Sequence, residues 1–242
     1  MIRAEALSFA FGADVAALDG LTFTVPRGTI RGVVGANGSG KSTLLALLAG
    51  LYTPTGGSLA VDGEVSPGAE DAIRRRVALV LQDPDQQIIG ATVEEDLLLG
   101  LPPADAVRRA AARRLAARFG LADGDAPVHT LSLGSRRKLC IVTALRDAPE
   151  VLLLDEPFAG LDYPAIREMR AILAANRAAG VTQVVAAHDL EAFADLVDGW
   201  LVLERGRLVR EGGAEAVFPE LRRHGVRPPG AWLAARGLDP WA

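Results

Sequence analysis

The sequence that decides the fold reads Gly35-Ala36-Asn37-Gly38-Ser39-Gly40-Lys41-Ser42-Thr43. It matches the pattern G-x-x-x-x-G-K-[ST], a phosphate-binding loop that joins a strand to a helix. The apolar run Ile30–Val34 precedes it and the helix-forming run Leu44–Ala49 follows it, as that arrangement requires. Glycines allow main-chain N–H groups to face an anion, and the helix N-terminus adds partial positive charge. We therefore expect the whole stretch to bind nucleotide phosphates, with Lys41 on the β- and γ-phosphates and Ser42 on Mg²⁺.

Composition excludes several classes of protein. The chain has 242 residues, 50% of them hydrophobic and 23% charged, so it can form one large α/β domain or a core with an insert. Its net charge of −4 argues against nucleic acid as a partner. The single cysteine, Cys140, cannot form an internal disulfide and fits a reducing compartment. No signal peptide is visible, and no apolar run reaches the roughly 20 residues that cross a bilayer, which predicts a cytosolic protein.

Strand and helix signals alternate along most of the chain. Residues 2–25 predict short strands of an N-terminal antiparallel β subdomain, with a turn at Ala16–Leu21. Residues 94–148 repeat Ala, Leu and Arg at helical spacing, which predicts an inserted helical subdomain. Beyond it we expect a strand, a helix, a second strand, a second helix and a hairpin: Val151–Leu154, Pro164–Ala179, Val181–Ala186, Leu190–Val197 and Trp200–Arg210. The predicted fold class is α/β, a P-loop NTPase with a mainly parallel sheet flanked by helices.

Two carboxylates stand at the end of one predicted strand. The apolar run Val151–Leu154 is followed directly by Asp155 and Glu156. A buried strand can deliver the first carboxylate to the metal and the second toward the γ-phosphate. We therefore expect Asp155 to serve Mg²⁺ and Glu156 to orient or deprotonate the attacking water. The phosphate loop alone leaves nucleotide kinase, GTPase and transport ATPase open, and the second half of the chain decides among them.

The loop Leu131-Ser132-Leu133-Gly134-Ser135 resembles the LSGGQ signature of ATP-binding cassette (ABC) ATPases. Further motifs follow that family's order. Gln82 resembles the Q-loop glutamine, Ala159–Asp162 the D-loop, His188 the switch histidine, and Phe11 the aromatic residue that stacks on adenine. The resemblance implies ATP and Mg²⁺ as ligands, with Gln82 on the metal and Gln82 and His188 taking part in catalysis. It also implies an ABC ATPase domain over residues 1–212 and a short C-terminal extension over 213–242.

The resemblance further implies a head-to-tail dimer, formed by two copies of this chain or by this chain and a paralogue. Ser132 and the Gly134 main chain of one subunit would contact the γ-phosphate held by the other, where the helix N-terminus adds positive charge. The chain departs from LSGGQ at Leu133 and Ser135. We expect a working but slower site if Leu133 keeps a negative φ, and the alternative is a degenerate, inactive subunit.

The segment Gln82–Asp96 indicates the subclass. It resembles the Q-loop and Q-helix of energy-coupling factor (ECF) transporter ATPases, with Asp83 and Gln86 as departures from the usual pattern. In that family the segment receives a helix of a transmembrane T-component, which connects it to a substrate-binding membrane subunit. The side chains expected to meet that helix are acidic or apolar: Asp83, Asp85, Glu95, Ile88 and Ile89. The resemblance implies a peripheral position at the cytoplasmic face of the cell membrane.

The opening Leu7–Phe11 is similar to the cobalt/nickel branch of the ECF family, which implies that ATP hydrolysis energises uptake of a cobalt or nickel ion. An importer of biotin or another vitamin is the alternative, because the ATPase does not touch the transported solute. A soluble ABC ATPase acting on DNA or ribosomes is disfavoured by the single cassette, the short insert and the acidic charge. A nucleotide kinase leaves the signature-like loop and His188 unexplained.

Overall fold

The computed structural model describes residues 1–12 and 16–236, which form two sheets and their connecting helices. The strands are β1 (Ile2–Ala10), β2 (Ala16–Val25), β3 (Ile30–Val34), β4 (Gly56–Val61), β5 (Glu64–Ser66), β6 (Val77–Val80), β7 (Val151–Asp155), β8 (Thr182–Ala187), β9 (Gly199–Glu204) and β10 (Arg207–Gly212). The helices are α1 (Lys41–Leu48), α2 (Glu70–Arg76), α3 (Val93–Leu98), α4 (Ala106–Arg118), α5 (Leu133–Leu145), α6 (Tyr163–Ala178), α7 (Ala214–Val217) and α8 (Gly230–Ala234). Short 3₁₀ turns cover Pro84–Gln86, Val128–Thr130, Ala194–Leu196 and Phe218–His224. Residues 237–242 of the predicted C-terminal extension lie outside the described residues.

The smaller sheet is antiparallel, in the order β2-β1-β4-β5, as the alternating N-terminal pattern predicts. The turn expected at Ala16–Leu21 is wrong, because β2 runs through it and buries Leu18 and Leu21. Leu21 pairs with Leu7 but Leu18 pairs with Phe9, so β2 carries one extra residue between these pairs. This β-bulge breaks the period of two that identifies a strand in sequence.

The larger sheet is mixed, in the order β10-β9-β3-β8-β7-β6, and only β10 is antiparallel to its neighbour. All residues of β7 and β8 are buried, as expected for continuous apolar strands covered on both faces. The predicted hairpin is confirmed: Arg205 and Gly206 join β9 to β10 with φ of +48° and +77°. Two positive φ values match the right-handed twist of the paired strands.

Helices α3, α4 and α5 form the inserted helical region and share an apolar cluster of their own, which includes Val93, Leu97, Ala116 and Leu139. A helix predicted over Leu190–Val197 is wrong, since only a 3₁₀ turn forms there. Leu190 and Phe193 are fully buried, and Arg170 of α6 holds the turn by an ion pair with Asp195. Side-chain anchors therefore replace a helical hydrogen-bond ladder in this short segment.

The residues after β10 pack on the larger sheet. Val217, Phe218 and Leu221 are buried in the same cluster as Trp200 of β9. The Trp232 ring meets Phe218 edge-on, with 5.7 Å between ring centroids. Among the residues that the structure describes, no helix has the length and apolar character needed to span a bilayer.

Candidate active site

The carboxyl ends of β3, β8 and β7 lie side by side at one edge of the larger sheet. The predicted phosphate loop follows β3, Asp155 ends β7 with Glu156 next, and His188 follows β8. Three segments that are far apart in sequence therefore meet at one edge. In open α/β sheets this edge is where ligands bind.

The phosphate loop ends where α1 begins, at Lys41. Gly40 caps the helix with φ of +104°, in a region that strongly favours glycine, and turns the loop into the helix. The Ser39 side chain is 4% exposed and its hydroxyl has no hydrogen-bond partner among the described residues. A buried hydroxyl without a partner is costly, so this one is well suited to an anion that enters the loop.

Lys41 lies inside the loop. Its Nζ donates hydrogen bonds to the carbonyl oxygens of Gly35 at 2.8 Å and Ala36 at 3.3 Å. Burial lowers the pKa of Lys41, and the charges of Glu156 and Asp155 oppose that change. The ammonium group is therefore held close to where the sequence places phosphate, with carboxylates nearby.

Asp155 is 7% exposed at the end of β7. Burial raises its pKa, and a hydrogen bond with Ser42 together with the charge of Lys41 opposes the rise. The contact joins the two residues that the sequence assigns most directly to Mg²⁺. Carboxylate and hydroxyl oxygens are ligands that suit a hard divalent cation, so these residues fit that ion.

Glu156 and His188 form a pair, with Glu156 Oε1 lying 2.8 Å from His188 Nδ1. Glu156 is buried, whereas the imidazole side chain is 54% exposed. The main chain of Glu156 has φ of +48°, which costs a non-glycine residue roughly 1–2 kcal/mol. Its N–H donates to the carbonyl of Ala186 at 2.8 Å, and its carbonyl accepts from the N–H of Ala159 at 3.2 Å. The surrounding chain therefore holds this residue in a strained conformation, as is frequent at active sites.

The signature-like loop leads into α5. Ser132 is the N-cap, and its Oγ accepts a hydrogen bond from the N–H of Ser135 at 3.1 Å. Leu133 is the first residue of α5 and its φ is negative, which is the condition under which we expect the loop to tolerate leucine in place of glycine. The Leu133 side chain lies against Gly160 of the D-loop-like segment. The contact is close: a Cβ added to Gly160 would lie 3.2 Å from Leu133 Cδ2. Among the described residues, no hydrogen bond joins Ser132 to the phosphate loop.

Phe11 is 60% exposed directly after β1. Its ring stands edge-on to Phe9 and Tyr52, with centroid distances of 5.0 and 5.6 Å. Tyr52 was not singled out in sequence, although an aromatic residue just after α1 and its Gly50 terminus is a signal that could have been used. The cluster gives Phe11 a supported ring with an open face.

The segment Gln82–Asp96 is held mainly by its own chain. Of the acidic residues expected to meet a partner, Asp85 pairs with Arg136 while 63% of its side chain stays exposed, and the exposed Glu95 accepts a hydrogen bond from the N–H of Ala91. Their pairing with a partner helix stays a prediction. Ile88 packs against the apolar clusters, and Asp83 caps the 3₁₀ turn by accepting from Asp85 N–H. Ile89, 76% exposed, is the apolar side chain that remains at the surface of this segment.

Two buried charged residues were given no role of their own from the sequence: Asp96, at the end of the segment Gln82–Asp96, and Arg137 in α5. Asp96 is 5% exposed and accepts hydrogen bonds from the N–H groups of Ile89 and Gly90 at 2.8 and 3.2 Å. Arg137 is 5% exposed and donates to the carbonyls of Glu156 and Gln82. For Asp96, the run Thr92-Val93-Glu94-Glu95 resembles a capping box and could have signalled an ordered segment. Nothing local distinguishes Arg137 from its basic neighbours.

Comparison with known proteins gives concordant matches. Residues 18–159 match the family model described as ABC transporter. The chain is 42% identical over 241 residues to the cobalt import ATP-binding protein CbiO of Rhodobacter capsulatus, covering 95% of this chain and 85% of that protein. It is 34% identical over 235 residues to the energy-coupling factor transporter ATP-binding protein EcfA of Carboxydothermus hydrogenoformans, covering 94% and 87%. The solved structure of cbiO1 from Clostridium perfringens, described as part of the ABC transporter complex cbiONQ, has a TM-score of 0.79 at 29% identity, covering 92% of each chain.

Proposed function

The chain belongs to the ABC transporter family of ATPases, and on that premise we propose that it is the ATP-binding subunit of an ECF-type importer. ATP hydrolysis would drive the uptake of a cobalt or nickel ion through membrane partners. The observation that carries the proposal is the pair formed by Glu156 and His188, 2.8 Å apart and next to the buried Asp155. A carboxylate held by an imidazole beside a phosphate loop is suited to activating water.

Nucleotide binding would begin at the loop of residues 35–43. Lys41 exchanges its contacts with the Gly35 and Ala36 carbonyls for β- and γ-phosphate oxygens, and the Ser39 hydroxyl gains a partner. Burial strengthens these contacts, because water screens them less than at the surface. The open face of the Phe11 ring would stack on adenine.

The residues assigned to Mg²⁺ are Ser42, Asp155 and Gln82. When bound, the ion neutralises charge on the β- and γ-phosphates. Gln82 is exposed on the loop that follows β6, and Arg137 donates hydrogen bonds to its carbonyl oxygen and to that of Glu156, which supports a position near the site. The hydrogen bond between Ser42 and Asp155 brings these two oxygen groups together.

Hydrolysis would be directed by Glu156. Its carboxylate orients a water molecule and accepts a proton from it, while the water oxygen forms a bond to the γ-phosphorus. The bond from the γ-phosphorus to the bridging oxygen breaks, and ADP leaves with that oxygen. The contact with His188 Nδ1 holds the carboxylate in position.

The complete site is proposed to need a second subunit. Ser132 and the N-terminus of α5 can offer a hydroxyl and main-chain N–H groups to an anion, yet no hydrogen bond of the described residues joins Ser132 to this chain's own phosphate loop. A head-to-tail dimer would bring the loop of one copy to the γ-phosphate bound by the other. Every nucleotide motif is intact or nearly so, which favours a dimer of two copies of this chain, and a paralogue is the alternative.

The membrane partner is proposed to dock on the segment Gln82–Asp96, where Ile89 offers an exposed apolar contact. Attachment there would place the chain at the cytoplasmic face of the membrane. Cobalt or nickel as cargo is supported by the similarity to a cobalt import ATP-binding protein. A vitamin importer is the second candidate, supported by the similarity to an energy-coupling factor ATPase.

The test of the catalytic assignment replaces Glu156 by Gln, which is isosteric and cannot accept the proton. ATP binding should persist while kcat falls by roughly 10²–10⁴-fold. Binding is measured by equilibrium dialysis and kcat by phosphate release from the full chain. Lys41→Ala is the contrasting variant, and it should lose ATP binding. Normal hydrolysis by Glu156→Gln would remove the proposed role of Glu156.

The same variant tests the cargo. In cells that lack this chain, the parent sequence should restore uptake of radioactive cobalt, and Glu156→Gln should not. Restoration of labelled biotin uptake without cobalt or nickel uptake would favour the vitamin importer instead. If neither the metal ions nor biotin enter in a manner that depends on Glu156, the cobalt, nickel and biotin assignments are all wrong.

A further inference from the structure

Arg137 stands out as a buried cation in contact with two functional segments. It lies in α5, one turn after Ser132, and is 5% exposed. Its guanidinium donates to the carbonyl oxygen of Glu156 at 2.6 Å and to that of Gln82 at 3.3 Å. One side chain of the signature helix therefore contacts the catalytic carboxylate residue and the Q-loop glutamine.

Stability alone does not account for this arginine. Its two hydrogen bonds run to main-chain carbonyls rather than to a carboxylate, and its Nε has no hydrogen-bond partner among the described residues. A charge buried with incomplete partners costs free energy, and an apolar side chain of similar volume is often at least as stable. A different advantage must therefore offset the cost.

The contact with Glu156 supplies that advantage. Glu156 has φ of +48°, and rotation of its main chain would carry the carboxylate away from His188. One terminal nitrogen of the Arg137 guanidinium donates a hydrogen bond to the Glu156 carbonyl oxygen. The other donates to the Gln82 carbonyl oxygen, which fixes the guanidinium group in place. Neighbouring Arg136 pairs with Asp85, which ties the same loop to α5 a second time.

We propose that Arg137 is a positioning residue for ATP hydrolysis, which holds the Glu156 main chain in its strained conformation by using the Gln82 carbonyl as a second anchor. The inference rests on the proposed role of Glu156. A planar fork can hold two carbonyls at once, whereas a lysine ammonium on a single flexible stem fixes their relative position less well. Arginine, rather than positive charge alone, is therefore required.

The test is a double-mutant cycle between Arg137→Lys and Glu156→Gln in the full chain. Arg137→Lys alone should lower the single-turnover rate of ATP hydrolysis by roughly 10- to 100-fold, with ATP affinity within about threefold of the parent. In the Glu156→Gln background the same change should lower the rate by less than about twofold, because the carboxylate that Arg137 positions is already gone. Lys138→Met is the matched control: this half-buried neighbour pairs with the exposed Glu168 and contacts neither Glu156 nor Gln82 by a hydrogen bond among the described residues, so its loss should change neither rate by more than about twofold.

Three results would overturn the proposal. An equal rate loss in both backgrounds would show that Arg137 does not act through Glu156. An unchanged rate in Arg137→Lys would show that the fork is unnecessary, and a failure of this conservative variant to fold would assign the residue to stability alone. Normal hydrolysis by Glu156→Gln itself would instead refute the proposed function, so the two failures are distinguishable.

Discussion

The side chains of Lys41, Asp155 and Cys140 are buried, and burial favours the neutral form of each. It lowers the pKa of Lys41 and raises the pKa of Asp155 and of Cys140. At the nucleotide site the charges of Lys41 and Asp155 attract one another and oppose both shifts. Bound phosphate would favour the charged form of Lys41 further, because added negative charge stabilises an ammonium ion. For Cys140, in α5, burial raises the pKa to about 12; the charge of Asp96 adds to the rise and that of Arg137 opposes it.

Cys140 should therefore resist thiol reagents in the folded protein. It is 1% exposed, and with a pKa of about 12 almost no thiolate is present at mildly alkaline pH. We expect reaction with a disulfide reagent to be at least about 100-fold slower in the native chain than in concentrated urea. Absorbance of the released thiolate measures both rates. If the native protein reacted as fast as the protein in concentrated urea, the thiol would have to lie at the surface.

At the scale of secondary structure, the larger sheet depends on the contact between β3 and β9. Gly32 of β3 is paired with Trp200 of β9, and a Cβ at position 32 would lie 2.3 Å from the indole ring. Trp200 also meets Phe193 and Phe218, with centroid distances of 5.7 and 5.3 Å. The absent side chain at position 32 thus lets one aromatic residue join the sheet, the segment after β8 and the C-terminal segment.

Gly32→Ala should therefore destabilise the fold by about 1–3 kcal/mol, since the indole ring or the strand has to move. Urea unfolding followed by circular dichroism measures the free energy of unfolding. The control is Gly213→Ala, at the N-cap of α7, where an added Cβ meets nothing within 4 Å and the expected cost is a few tenths of a kcal/mol. Equal stability of the two variants would contradict the tight β3–β9 contact.

At the scale of the whole molecule, one chain carries two separate features that are proposed to bind phosphate. The loop of residues 35–43 lies at the carboxyl edge of the larger sheet with Glu156 and His188. Ser132 caps α5 in the helical region, and its hydroxyl is bonded to Ser135. Joining the two features around one triphosphate is what the proposed head-to-tail dimer would achieve.

This arrangement predicts nucleotide-dependent association. Glu156→Gln, which should trap ATP, is expected to form a dimer with ATP and Mg²⁺ and to be monomeric without nucleotide, as measured by light scattering after size-exclusion chromatography. The double variant Glu156→Gln, Ser132→Glu should stay monomeric with ATP and Mg²⁺, because the new carboxylate would face the γ-phosphate and the two negative charges would repel each other. Thr92→Glu is the matched control: it also removes an N-cap hydroxyl and adds a charge, but at α3, so the dimer should persist. A monomer under all conditions would argue against the dimer.

Contiguous residues were sufficient to predict the phosphate loop, the strand ending in Asp155 and Glu156, and the hairpin at Arg205-Gly206. Each of these depends on a local rule: a glycine pattern, an apolar run, or a turn that needs positive φ. The family and the fold class followed from these signals and from the order of the remaining motifs, and both are confirmed.

Only the tertiary structure decided how these parts contact one another. It showed the β-bulge that interrupts the alternating pattern of β2, and the ion pair of Asp195 that holds the non-helical segment Leu190–Val197. It also showed the ion pair of Asp85 with Arg136 and the hydrogen bonds of Arg137 to the carbonyls of Glu156 and Gln82. A local pattern can predict the conformation of a segment, because neighbouring residues determine it. Contacts between α5 and the Q-loop depend on packing across the folded chain, and no local period or spacing encodes them.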